Sequence, residues 1–443
     1  MDSHERRFPM PQGRITRRQF TAGTLAAGAM AAVAPSTWAR QGANEKIRVA
    51  VIGCRNRGWK LAWSFHVYGP FEVVSISDCD EAMYDHAMKE LDKRLKDNPL
   101  PQKPKFFRDF RKILDDKSID AVAIATPDHW HALMTVMALE AGKHVYLEKP
   151  ASYNIADGKI MVAAQKKHPD LTVCLGTQQR SGQHFKDAAQ FVKEGGLGDV
   201  AFARAWLSAG RHRVKKIPNS EPPKSMDYKM WVGPAAWEPY NEQRVHYNWH
   251  FMKNFGTGDA GNWGAHYLDI IRWYMNLDVP TSACSFGGQY VVDDAKEWPD
   301  TQTTLYKFDE LTVVWELRHW TPTGVNGRSS GAEIRGNKGT MIIDRGGWEF
   351  HPQGDKEVVK HGGSAMQAPH ISNFAECIKG NAKPATSIEE GHKTAIMCHL
   401  ANISSVYDRQ LNFDPKTQDI INDPEAAAWQ DREYRNPWKM PKI

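Results

Sequence analysis

The amino-acid sequence predicts an α/β protein in two parts, a parallel sheet wrapped by helices and then an α+β domain with an open, mostly antiparallel sheet. Three observations carry that expectation. Short apolar strands alternate with helical stretches after about residue 45, the rhythm changes near residue 170, and long hairpins follow. The chain has 443 residues, of which 41% are hydrophobic and 25% charged, a globular composition too long for one small core.

The first strand is Lys46 to Gly53, an apolar run ending in a glycine turn, and Gly58 to Val67 is helical. Phe71 to Asp78 is a second strand ending in an acid, and Ala82 to Lys96 has helical spacing. Phe106-Phe107 starts a short edge segment. Asp120 to Pro127 and His144 to Glu148 are further strands around a helix from His131 to Ala141. Thr172 to Gly176 is the last strand of this kind, and Gly182 to Gly195 is helical.

Later, Thr303–Phe308 and Leu311–Leu317 flank Asp309-Glu310 as a hairpin, and Glu333 to Ile343 turns at Asn337. Two late helices, His370 to Lys379 and Ile388 to Arg409, are expected to pack back on the body. The expected boundaries are 45–170 for the first domain, 171–410 for the second and 411–443 for a C-terminal tail.

Residues 1–39 read as a twin-arginine signal peptide rather than as structure. Arg17-Arg18 precede Phe20, a small-residue apolar run spans Ala22 to Ala34, and Thr37-Trp38-Ala39 suits a signal peptidase. The run is too short for a stable membrane span. An exported, periplasmic or extracytoplasmic protein is therefore expected, with an uncleaved anchor as the alternative. A net charge of +5 with no basic run gives no sign of a nucleic-acid partner. Six cysteines without a CxxC pair read as buried thiols. Sixteen Trp residues are compatible with ring-shaped ligands, although each one singly is better read as core.

Four segments carry candidate chemistry. In Gly53-Cys54-Arg55-Asn56-Arg57-Gly58 a strand turns into a helix, so backbone N–H groups can meet a pyrophosphate. Arg55 stands where a middle glycine is usual. Asp78, at the end of the next strand, suits the ribose hydroxyls of NAD and disfavours NADP, which stays the alternative cofactor. This makes the first domain a Rossmann dinucleotide-binding domain. Thr126-Pro127-Asp128-His129-Trp130-His131 follows a strand end, so Thr126, Pro127, His129 and His131 are cofactor-side candidates, with a helix cap as the alternative reading.

Glu148-Lys149-Pro150 also follows a strand end. A partly desolvated lysine there can take a proton from a substrate hydroxyl, with Glu148 orienting it; a surface lysine is equally compatible with the tripeptide alone. In the glycine-rich run Gly256 to Asp269, Asn262 and His266 share a helix face, and Asp269 is placed to hold the His266 imidazole. Gln179, Arg180, His246, Trp249 and His250 complete the substrate-side candidates. Arg211, His212 and Arg213 read as a solvated face. No metal site is expected.

Together with Gly176 to Arg180, these segments resemble, in order, the Gfo/Idh/MocA family of glucose–fructose oxidoreductase and inositol dehydrogenase, over essentially the whole chain from Lys46. The resemblance implies Lys149 as catalytic proton carrier, His266 against the substrate, and a homo-oligomer through the C-terminal sheet. The position four before His266 is commonly Asp in that family and is Asn262 here. Asn cannot relay a proton, which leaves Lys149 and His266 as the acid/base candidates. The resulting expectation is an exported NAD(P)-dependent oxidoreductase acting on a carbohydrate hydroxyl by hydride transfer, with a tightly held, recycled cofactor. The alternatives are a simple sugar or polyol dehydrogenase, a glycoside-cleaving enzyme working through a keto intermediate, and a non-catalytic sugar-binding protein.

Overall fold

The computed structural model describes residues 46–321 and 323–443. The expected export leader lies outside the described residues. Strands β1 (Ile47–Ile52), β2 (Phe71–Ser77), β3 (Lys105–Phe107), β4 (Ala121–Ile124), β5 (His144–Leu147) and β6 (Val173–Leu175) form one sheet, ordered β3-β2-β1-β4-β5-β6. Every pairing in it is parallel. Strands β1, β4 and β5 are almost wholly buried, as continuous apolar runs such as Ile47–Ile52 require when helices cover both faces. The order reverses between β1 and β4, which opens a crevice at the carboxyl ends of those strands.

The crossovers are α1 (Arg57–Tyr68), α2 (Glu81–Arg94), α3 (Arg111–Asp115), α4 (His131–Glu140) and α5 (Ile155–Lys167). Asp80 caps α2 by accepting from Ala82 N at 3.0 Å, and Asn154 caps α5 by accepting from Asp157 N at 2.7 Å. Helix α5 is absent from the sequence expectation, although two parallel strands such as β5 and β6 need a crossover between them. It packs against α4 and α10 (Ile388–Tyr407) and leaves Ala163, Lys166 and Lys167 exposed.

The second sheet has ten strands in the order β14-β13-β12-β11-β7-β10-β9-β8-β15-β16. They are β7 (Val200–Ser208), β8 (Ser282–Gly288), β9 (Thr301–Lys307), β10 (Thr312–Arg318), β11 (Ser330–Gly336), β12 (Gly339–Asp344), β13 (Gly347–Pro352), β14 (Val359–Gly362), β15 (Leu411–Asp414) and β16 (Asp419–Ile421). Only β7 and β10 pair in parallel; the other pairings are antiparallel. The two expected hairpins are β9–β10 and β11–β12. After α6 (Gln183–Lys193) and α7 (Tyr228–Val232), helix α8 (Ala265–Met275) and α10 cover one face, with Tyr267, Tyr306, Trp315 and Met397 in the core between them. On β8 and β9 the opposite face leaves Phe286 and Leu305 exposed.

Residues 411–443, expected as a tail, are built into the fold. Strand β15 pairs with β8, and the chain then returns to the first domain. There Arg432 Nη2 donates to the His129 carbonyl at 2.8 Å, and Trp438 meets Trp130 edge-on at 4.8 Å. The polar composition of this segment hides the few contacts that anchor it. Helix α9 (Gln367–Ile378) likewise crosses to the first domain, stacking Phe374 on Phe71. Among the described residues no helix is long and apolar enough to cross a membrane.

Candidate active site

A cleft of about 440 Å³ runs from the turn after β1 to the loop Gly256–Gly264 that leads into α8. One end is made by backbone. Gly53 has φ +82°, and a Cβ there would meet the Ala125 carbonyl oxygen at 2.8 Å. At Gly58 a Cβ would lie 1.8 Å from the Gly53 oxygen, so neither position admits a side chain. Asn56 makes no side-chain cap on α1, and the first turn of α1 holds no acid. Its amino-terminal N–H groups therefore have no side-chain acceptor, which suits an anion. Asp78 accepts from Cys54 N at 2.9 Å and from Asp80 N at 3.1 Å, and lines the cleft beside the turn. A carboxylate has about four acceptor positions, so others remain for hydroxyl donors. The residues present thus fit a dinucleotide.

Arg55 sits over the Tyr247 ring at 5.8 Å. Arg57 turns inward, its Nε 2.5 Å from Glu148 Oε1 and its Nη2 3.0 Å from Gln367 Oε1. Thr126 and Pro127 line the wall between them.

At the other end the walls are side chains from distant parts of the sequence. Lys149 Nζ donates to the Asn262 carbonyl at 2.9 Å and to Asn262 Oδ1 at 2.7 Å. Burial pulls the Lys149 pKa below that of a free lysine, against the pull of Glu148 and Asp128. Asn262 Nδ2 donates to Asp259 Oδ1 at 2.9 Å. Asp259 also accepts from Arg211 through both oxygens, at 2.6 and 3.0 Å, and bonds His319 Nε2 at 2.7 Å. Burial raises the Asp259 pKa, but Arg211 and His319 outweigh it and hold the carboxyl well below the usual range. Beside this chain lies His266, kept neutral by burial and by Arg345, with Nδ1 buried and without a hydrogen-bond partner. His250 resembles it: burial brings its pKa to about 4, and its Nε2 has no partner.

Several expected site residues lie elsewhere. His129 does not line the cleft; its ring nitrogens face the carbonyls of Phe255 (3.2 Å) and Trp231 (3.0 Å), clamping the two domains together. His131 sits behind the cleft, between the carbonyls of Pro150 (2.8 Å) and Thr126 (3.1 Å), and so ties two strand ends. Gln179 is buried away from the cleft, and Gln178 lines it instead. Arg180 forms a buried two-bond pair with Asp269 at 2.7 Å on each oxygen. Asp269 is thereby committed to Arg180 and does not hold His266. In the sequence Arg180 follows a strand end and Asp269 lies on a helix, and nothing in their spacing shows that they satisfy each other.

His246 lines the cleft with Nε2 2.8 Å from Asp80 Oδ2, and Trp249 lines it nearby. Arg211, expected in solvent, is instead a cleft residue. Asp128, Tyr247, Trp263 and Arg345 are cleft residues missing from the expected site. Asp128 accepts from Thr257 N and Oγ1, at 3.1 and 2.7 Å, and pins the Gly256–Gly264 loop to the first domain. Arg345 comes from the β12–β13 turn, where only the fold could reveal its reach. Among the described residues no three His, Cys, Asp or Glu side chains are grouped to hold a metal ion.

A parallel sheet with a glycine turn at its switch point, joined to a second sheet that closes the cleft around a lysine, defines a two-domain dinucleotide-binding oxidoreductase. Residues 47–176 match the NAD-binding Rossmann fold of the Gfo/Idh/MocA oxidoreductase family, and 198–440 match that family's C-terminal alpha/beta domain. The chain belongs to this family, and the cofactor of its first domain is NAD.

A glycosyl hydrolase family 109 protein of Stenotrophomonas maltophilia is 29% identical over 66% of this chain and 64% of its own length. An alpha-N-acetylgalactosaminidase of Shewanella oneidensis is 24% identical over 62% of this chain. The chain spans 56% of that relative's length, a little over half. Among solved structures, levoglucosan dehydrogenase bound to NADH and levoglucosan has a TM-score of 0.64 at 17% identity, covering 83% of this chain and 99% of its own. The aldose-aldose oxidoreductase of Caulobacter crescentus has a TM-score of 0.64 at 18% identity, covering 83% of this chain and 100% of its own. At these identities the solved structures speak for the fold.

Proposed function

We propose that the protein oxidises a hydroxyl of a sugar or glycoside with a tightly held NAD(H), and that the hydride returns before the product leaves. The observation that carries the reading is the buried Lys149 amine, fixed by two oxygens of Asn262 in the cleft that begins at Gly53. The Gly53–Gly58 turn and Asp78 would hold the dinucleotide, which supplies hydride acceptance and return when bound. Lys149 takes the hydroxyl proton, which burial allows by favouring the neutral amine. The ammonium that results is stabilised by the Asn262 oxygens, and the proton is handed back when the hydroxyl re-forms. His266 stays neutral and orients the hydroxyl through its ring. Trp249 offers an apolar face to the sugar ring.

Recycling is supported by the relatives' names. Hydrolase names on an oxidoreductase fold suit chemistry with no net oxidation, in which a transient ketone acidifies a neighbouring C–H, the glycosidic group leaves as an alcohol, and water adds in its place before the ketone is reduced again. The Arg17-Arg18 leader supports export by the twin-arginine route to a periplasmic or extracytoplasmic site, where free dinucleotide is scarce. Exposed Phe286 and Leu305 support a homo-oligomer through the outer face of the second sheet.

The test is to denature the purified protein and measure released NAD(H). About one per chain is expected, with glycoside turnover that needs no added cofactor. If none is released and added NAD does not bind, the reading fails. Turnover that needs added NAD and accumulates NADH one for one makes the protein a simple dehydrogenase instead.

A further inference from the structure

Near Lys149 two cleft arginines are matched by carboxylates and a third is not. Arg57 is paired with Glu148, and Arg211 with Asp259. Arg345 also lines the cleft, yet among the described residues no carboxylate lies within ion-pair distance of it. Glu148, a carboxylate that acts on it, is already spent on Arg57. Arg345 instead rests over the Trp263 ring at 5.3 Å, with Gln179 Oε1 at a long 3.4 Å from both Nε and Nη2. A guanidinium does not shed its proton, so a half-buried one without a counter-charge carries an unmet desolvation cost. It also works against Lys149 and His266, lowering the proton affinity of both. Such a cation at a substrate pocket is accounted for when the ligand brings the anion.

We infer that Arg345 is the specificity residue for an anionic sugar, and that the substrate carries a carboxylate which the planar guanidinium receives in a two-bond fork. The inference rests on the carbohydrate reading above and names its substrate class. A carboxylate fits the fork better than a sulfate ester does, because its two coplanar oxygens match two parallel N–H donors. Arg345 acts at the Lys149 end of the cleft and Arg55 at the dinucleotide turn, so the two guanidiniums serve different ligands.

The experiment uses the protein as purified, with its NAD(H) content measured first. Binding of D-glucuronate and D-galacturonate is compared with D-glucose, D-galactose and galactose 6-sulfate by calorimetry, which needs no turnover. The hexuronates are expected to bind at least tenfold more tightly than the neutral hexoses, and more tightly than the sulfate. Arg345→Met is expected to erase that preference by weakening hexuronate binding at least tenfold while NAD(H) content is kept; Arg345→Lys, which keeps the charge and loses the fork, retains part of it. Equal binding of acidic and neutral sugars by the unaltered protein, tighter binding of the sulfate, or loss of bound NAD(H) in Arg345→Met each overturns the inference. Absence of any dinucleotide in the unaltered protein is a different failure, that of the oxidoreductase reading itself.

Discussion

The two ends of the cleft are built on opposite principles. At the Gly53 end the shape comes from backbone: a left-handed glycine, a second glycine that admits no Cβ, and the open amino terminus of α1. At the Lys149 end it comes from side chains that arrive from residues 149, 211, 259, 262 and 319 and hold one another in a single chain of polar contacts. The first design is local and tolerates no added atom. The second is spread over the fold and fails by loss of a partner.

The sharpest way to break that contrast is Lys149→Met. Turnover is expected to fall about 10³-fold, near 4 kcal/mol of barrier, with bound NAD(H) unchanged, because general-base catalysis contributes on that scale. Unchanged turnover in a rate assay would show that the side-chain end does not carry the chemistry. Gly58→Val strikes the other end: the new side chain meets the Gly53 oxygen, so dinucleotide content is expected to drop to near zero in whatever folded protein remains.

Asp259→Asn separates the two designs by stability. It leaves Arg211 and His319 facing a neutral amide in a buried place, and thermal unfolding should report a loss of about 3 kcal/mol. The same carboxylate gives a sign in pH. Its folded pKa is depressed, so its contribution is present above the unfolded carboxylate range and is lost as pH falls through the folded value. Acid unfolding of Asp259→Asn should therefore be shallower than that of the unaltered protein.

Activity runs in the same direction with pH. Lys149 works as the neutral amine, so kcat/KM should rise with pH along a limb centred below the range of a free lysine. A limb at or above that range would remove burial as the tuning force. The smallest effect is expected from Gln179→Ala, which sits outside the cleft and should change turnover by less than about threefold, under 1 kcal/mol.

The same contrast explains what could be read in the sequence. The parallel sheet, the glycine turn and the strand-end Lys149 follow from short-range signals: apolar runs, turn residues and a proline just after the lysine. Asp128 stood inside a quoted motif but was weighed only as a helix cap, because its partner Thr257 lies 129 residues away. Arg180 reads as a substrate-side group and Asp269 as the partner of His266, since a buried pair and two separate site residues look alike in one dimension. Arg345 gave no signal at all, because a turn between two strands reveals nothing of what the turn reaches. Helix α5 was lost for a related reason: Asp157 and Gly158 sit on its buried side, so the apolar residues draw no clean stripe.

The return of residues 411–443 to the first domain also has a mechanical meaning. With Arg432 on the His129 carbonyl, Trp438 against Trp130, and His129 itself braced on Phe255 and Trp231, the polypeptide closes into a ring around the cleft. A two-domain protein joined by one connection can open like a book. One whose end is buckled to its beginning opens only by undoing the buckle. Slow exchange of whatever lies between the boards is the kinetic signature to look for, and trimming the last residues before Trp438 is the way to speed it.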